Sequence, residues 1–358
     1  MPTDNRTTEL AKLAVNYCVE AKHNEKVIIS GGSEAIPFLV ELYKQVIFAG
    51  AIPIVRVLLP DVNDFFFKYA KEHHLTYFPQ YWFDTVKHAQ CYIGINTDMN
   101  TKELTSINPE LISKRQKILH PISDYLVNMR DKIRRVTIAY PCLSHAIESE
   151  MSLNEWEEFI YNACLIDWKS FGKTLDKINS LFEKGKEVYL LGENVDLKFS
   201  IKNKNSKADK GEENMPGGEI YMAPIRNSLN GFIKFEYPAI EHGKEVSGIY
   251  LKFKDGKVIE YNAEKNKELL KSMLETDENS SFVGEFGIGC NLNITRFTKN
   301  LLFDEKIQGT IHLALGMAYK DNGGGNDSAI HWDIVKDMSK AKILLDGKIV
   351  QENGEWKI

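Results

Sequence analysis

The stretch Lys26–Leu59, KVIISGGSEAIPFLVELYKQVIFAGAIPIVRVLL, decides the fold of the first half of the chain. Lys26–Ser30 is a short apolar run that stops at Gly31-Gly32, as a strand buried on both faces does. Ser33–Gly50 then carries apolar residues at helical spacing, with Ser33 placed to cap the first turn. Ala51–Leu59 is a second apolar run that reads as the next strand. Strand, helix and strand in that order predict a parallel pair joined by a crossover helix. Ala89–Asn96 (AQCYIGIN) and Arg134–Pro141 (RRVTIAYP) continue the rhythm, so an α/β domain with a helix-covered parallel sheet is expected. Gly31-Gly32-Ser33 invites a phosphate-binding reading, because a helix N-terminus attracts anions. The third glycine of GxGxxG and the P-loop lysine are both missing, and the turn reads as an ordinary tight strand-to-helix connection.

The grammar changes near residue 186. A charged helical stretch, Met151–Glu187, leads into a run of strands that begins with Val188–Gly192. Gly231–Glu264 reads as a meander, with Asp255-Gly256 as a two-residue hairpin signal. Ile201–Asn214 (IKNKNSKADKGEEN) reads as a polar loop. The expectation is two domains: an N-terminal α/β domain over 1–185 and a strand-rich α+β domain over 186–358.

The 358 residues are 43% hydrophobic and 27% charged, so a substantial core can form. No apolar run approaches the roughly 18 residues of a membrane helix, and the N-terminus lacks a signal peptide's basic-then-apolar order. Cys18, Cys91, Cys142, Cys164 and Cys290 are scattered and form no CxxC, which argues for thiols in a reducing cytoplasm. A net charge of −5 with dispersed lysines leaves no electrostatic footprint for nucleic acid. A small molecule or peptide is the expected partner.

Four segments of the second half follow one rule. In Gly217–Pro224 (GGEIYMAP), Glu219 shares a strand face with Gly217, Tyr221 and Ala223. In Phe282–Gly289 (FVGEFGIG), Glu285 lies with Gly287 and Gly289, and Phe286 and Ile288 face the other way. In Gly309–Tyr319 (GTIHLALGMAY), His312 lies with Ala314 and Gly316, opposite Leu313 and Leu315. Helical spacing would put His312 and Tyr319 on one face, but Gly316 and the small/large alternation favour a strand, with Tyr319 just past its end. In Ile330–Val335 (IHWDIV), after the Gly323-Gly324-Gly325 turn, His331 and Asp333 share a face. Taken singly, each has a bland reading: a solvated glutamate, a satisfied core histidine, a common HxD. Together they form a coherent set, because a buried carboxylate must be paired, hydrogen-bonded or metal-bound. Mixed imidazole and carboxylate ligation suits Zn²⁺, Mn²⁺, Co²⁺ or Fe²⁺.

These motifs resemble the aminopeptidase T and aminopeptidase S family of metallo-aminopeptidases. The resemblance runs over nearly the whole chain and is most specific in Asn214–Pro224, Gly284–Asn291, Leu302–Tyr319 and Gly323–Asp333. It implies two divalent cations per chain (Zn, Co or Mn), with Glu219, Glu285, Glu305, His312, His331 and Asp333 as ligands. Glu285 is the expected bridge, Glu305 stands unusually far from His312, and Tyr319 matches an active-site tyrosine. A water between the ions would be the nucleophile, Glu219 or Glu285 the general base, and peptides with a free N-terminus the substrates. A homodimer is implied in the same way. Wider relatives include ring-opening iron dioxygenases that act on dihydroxypyridines with one metal, for which Glu285, His331 and Asp333 would suffice. A non-catalytic metal-binding protein is the third reading.

Overall fold

The computed structural model describes residues 4–241 and 243–358, and the chain packs as two units. One comprises residues up to Ile166 together with Gly211–Pro216; the other comprises Asp167–Lys210 and Gly217–Ile358. Among the described residues no helix is long and apolar enough to cross a membrane. The five cysteines are buried thiols.

The first unit is built on a five-stranded parallel sheet in the order Ile52–Leu58, Lys26–Gly32, Cys91–Asn96, Arg134–Ala139, Asn214–Met215. Lys26–Gly32 is buried from Val27 onward, which is why its sequence shows no alternation. The crossover helix is Ile36–Phe48, and it buries Phe38, Leu39, Leu42 and Val46. Ser33 does not cap it, contrary to the sequence expectation. Ser33–Ala35 forms a 3₁₀ turn, and the Ser33 hydroxyl donates to Glu34 Oε1 at 3.2 Å. Pro37, which has no N–H to donate, fits the first turn of the helix and sets its start after that turn.

Among the described residues the second unit holds two large antiparallel sheets and a two-stranded ribbon of Ala239–Glu241 and Lys244–Val246. The larger has eight strands, from Lys257–Asn262 at one edge to Glu355–Trp356 at the other. Its hairpin at Asp255-Gly256 has φ of 49° and 84°, the left-handed pair that a two-residue turn demands. The smaller sheet has five strands in the order His331–Asp337, Thr310–Gly316, Val283–Gly289, Glu219–Met222, Lys207–Asp209. Lys207–Asp209 is a correction to the polar loop expected over 201–214. Three residues of mixed polarity carry no strand signal, and pairing with Glu219–Met222 makes them a strand.

One face of the smaller sheet joins the core of the unit. Ile220, Met222, Phe286, Ile288, Ile311, Leu313, Leu315, Trp332 and Ile334 pack there with Leu190, Leu197, Phe199 and Ile343 of the larger sheet. The Phe199 and Phe286 rings meet edge to face at 5.0 Å. The helix Trp168–Lys184 adds Leu175, Ile178 and Phe182 to the same core. The contacts thus divide the chain before this helix, whereas the change of sequence grammar falls after it.

Candidate metal centre

Because side chains alternate along a strand, the face of the smaller sheet that turns away from the core gathers the polar partners of that alternation. The register aligns them in rows. Tyr221, Gly287, His312 and Val335 lie opposite one another across four strands. Glu285, Ala314 and Asp333 form the next row, and Gly316 and His331 the one after. At the other end Glu219 lies between Asp209 and Gly289. Glu219, Glu285, His312 and Asp333 are all buried. Small neighbours give them room. A Cβ on Gly287 would stand 2.0 Å from Nε2 of His312, so the imidazole lies directly over this glycine.

The distances are those of ligands around a common ion. His312 Nε2 is 3.4 Å from Glu285 Oε1 and 3.5 Å from Glu219 Oε2. His331 Nε2 is 3.5 Å from Asp333 Oδ2. Bonds of about 2.1 Å at tetrahedral angles separate ligand atoms by roughly 3.4 Å. The His331 Nδ1–H donates to the Met317 carbonyl at 2.8 Å, which leaves the Nε2 lone pair of the neutral ring facing Asp333. Two overlapping triplets have ligand atoms within 4.8 Å of one another: Glu219, Glu305 and His312, and Glu285, His312 and Asp333. His331 lies outside both triplets. Tyr319 stands half-buried beyond the strand end, its ring 5.0 Å from that of His331 and 6.5 Å from that of Tyr221.

The donor set fits a divalent cation. Glu219 Oε2, Glu285 Oε2, His312 Nδ1 and Asp333 Oδ1 are buried with no hydrogen-bond partner among the described residues. Buried polar atoms in folded proteins are nearly always satisfied, and a cation bound by these groups would satisfy the carboxylates. The electrostatics agree. Burial pushes the Glu219 carboxyl well above its usual range, against the pull of Lys306. Burial alone would lower His312, but the Glu285 hydrogen bond and the carboxylates of Glu219 and Asp333 lift it to about 10. His331 is raised as well: burial opposes the shift, and Asp333 and Glu285 outweigh it.

Sequence reading missed two charged residues here. Lys306 is wholly buried, with Nζ against Glu305 Oε1 and 3.4 Å from Glu219 Oε1. Asp209 is buried opposite Glu219. In sequence, "DEK" and "KAD" look like solvated charge runs, and nothing in them signals burial.

The fold and this centre define a two-unit α/β protein with a carboxylate–histidine site suited to a catalytic metal. The thermophilic metalloprotease family (M29) matches residues 3–356, and the chain belongs to that family. It is therefore a metal-dependent peptide hydrolase. Aminopeptidase T of Thermus aquaticus is 23% identical over 98% of this chain and 98% of its own. The structure of wild-type AmpT from Thermus thermophilus superposes with a TM-score of 0.86 at 21% identity, covering 99% of each chain. The 2,5-dihydroxypyridine dioxygenase of Pseudomonas putida KT2440 superposes with a TM-score of 0.63 at 11% identity, over 99% of this chain and 98% of that one.

Proposed function

We propose that the protein is an aminopeptidase that removes the N-terminal residue of peptides at this centre. The observation that carries the reading is the convergence of two ligand triplets on His312, with three buried carboxylate oxygens of the set left without a hydrogen-bond partner among the described residues. Glu285, His312 and Asp333 would hold a divalent cation; Glu219 and Glu305, the carboxylates of the other triplet, are where the family resemblance would put a second. Bound there, the metal would supply Lewis acidity toward the scissile carbonyl and toward water. The chain's own groups do the rest. Glu219 or Glu285 takes the proton of the attacking water and delivers it to the leaving amine. The Tyr319 hydroxyl donates a hydrogen bond to the oxygen of the tetrahedral intermediate. The remaining carboxylates attract the α-ammonium of a substrate with a free N-terminus.

The dioxygenase reading would use Glu285, His331 and Asp333. It leaves Glu219 and Glu305 without a purpose, although both lie within ligand distance of His312. The hydrolase reading gives these carboxylates roles in proton transfer and in holding the substrate's α-ammonium. The homodimer belongs to the same proposal, and an apolar surface supports it. On the first unit's crossover helix Ile36, Val40, Tyr43 and Ile47 form an exposed stripe, beside exposed Val55 and Val57 of the edge strand. Release of leucine from a leucyl peptide, abolished by chelation and absent with an N-acetylated substrate, tests the activity. Oxygen uptake on a dihydroxypyridine without leucine release would replace it with the dioxygenase reading. Sedimentation at twice the chain mass is the expected result for the dimer.

A further inference from the structure

We infer that Lys306 is a built-in cation in the Glu219–Glu305 half of the centre, so that the chain retains one divalent ion, held by Glu285, His312 and Asp333. The inference rests on the metallopeptidase reading and deepens it.

Three observations carry it. The Lys306 side chain has 0% exposure, a condition that lysine tolerates only when paired. Its partners are Glu305, through Oε1, and Glu219, whose Oε1 is 3.4 Å away. These are the two carboxylates of one ligand triplet, so the ammonium already neutralises the groups that a second ion would need; on Glu219 it takes Oε1, and Oε2 faces His312. A divalent ion there would lie a few ångströms from a positive charge in the buried interior, where like charges repel most strongly.

His312 adds a separate constraint. One carboxylate of each triplet, Glu219 in one and Glu285 in the other, approaches the same nitrogen, Nε2. That nitrogen has one lone pair and can complete only one of the two triplets. The triplet with Glu285 and Asp333 contains no lysine or arginine and has His331 beside it. It is the half that takes the ion. The two halves are therefore unequal: one is neutralised by metal, the other by the chain itself.

The test is a metal count. Protein loaded with excess Zn²⁺ is passed into metal-free buffer by gel filtration, and retained zinc is measured by mass spectrometry. The wild-type chain is expected to keep one ion. Lys306→Met, which removes the charge and keeps the length, is expected to keep two, and Lys306→Arg one. Two retained ions in the wild-type chain, or one in a folded Lys306→Met, overturn the inference and leave the peptidase reading standing. If circular dichroism finds Lys306→Met unfolded, the wild-type count decides alone. No retained zinc together with no leucine release overturns the metallopeptidase reading itself.

Discussion

A Cβ on Gly287 would lie 2.0 Å from both Cε1 and Nε2 of His312, closer than any real contact allows. Gly287→Ala must therefore push the imidazole off its position while leaving the back face of the strand untouched. Changes that disturb ligand orientation weaken metal binding about 10–100-fold. That loss is expected in a Zn²⁺ competition titration, with the circular dichroism spectrum unchanged. His312 also gives the centre a pH dependence. In the metal-free protein its pKa is about 10, so an entering ion displaces a proton. Apparent Zn²⁺ affinity is expected to rise up to about tenfold per pH unit through neutral pH, with proton release in buffers of differing ionisation enthalpy. The sign for stability is opposite. A histidine raised from 6.5 to about 10 on folding stabilises the metal-free protein fully below pH 6.5, and that contribution is lost as pH rises through about 10. Calorimetry of the metal-free protein is expected to show a falling Tm over this window. His312→Gln should lack that component.

The strands that carry the ligands each serve two faces, and alternation made those faces legible in the sequence. Alternation puts Glu219, Glu285, His312 and Asp333 each on a polar face, and in the structure each lies on one. Their convergence was not legible, because strand order and register are properties of pairing and no single strand encodes them. Lys207–Asp209 and Lys306 were illegible for a related reason: their burial comes from what packs around them. The two faces can be separated by experiment. Phe286 is fully buried on the back face, in contact with Phe199 and away from the ligands. Phe286→Ala is expected to cost about 3–5 kcal/mol in urea unfolding, with the zinc content of the folded protein unchanged. Loss of zinc from folded Phe286→Ala would mean that the two faces are not independent.

At the scale of the molecule, the parallel sheet of the first unit was readable from one strand–helix–strand stretch, since a fully buried strand leaves an uninterrupted apolar run. The limits of the units were harder to read. The helix Trp168–Lys184 has the charged sequence of a linker, yet Leu175, Ile178 and Phe182 belong to the second unit's core. A fragment of residues 186–358 lacks those three side chains and is expected to show no cooperative urea transition, while one of 167–358 does. Similar transitions in both would place the boundary at 185. The central claim concerns what the folded chain does with metal. It is tested most directly by leucine release from an unblocked leucyl peptide, comparing zinc-loaded, chelator-stripped and zinc-restored protein with Glu285→Ala. Release that vanishes on stripping, returns with zinc and is absent in folded Glu285→Ala is the expected result. Undiminished release by the stripped protein or by Glu285→Ala would contradict the account.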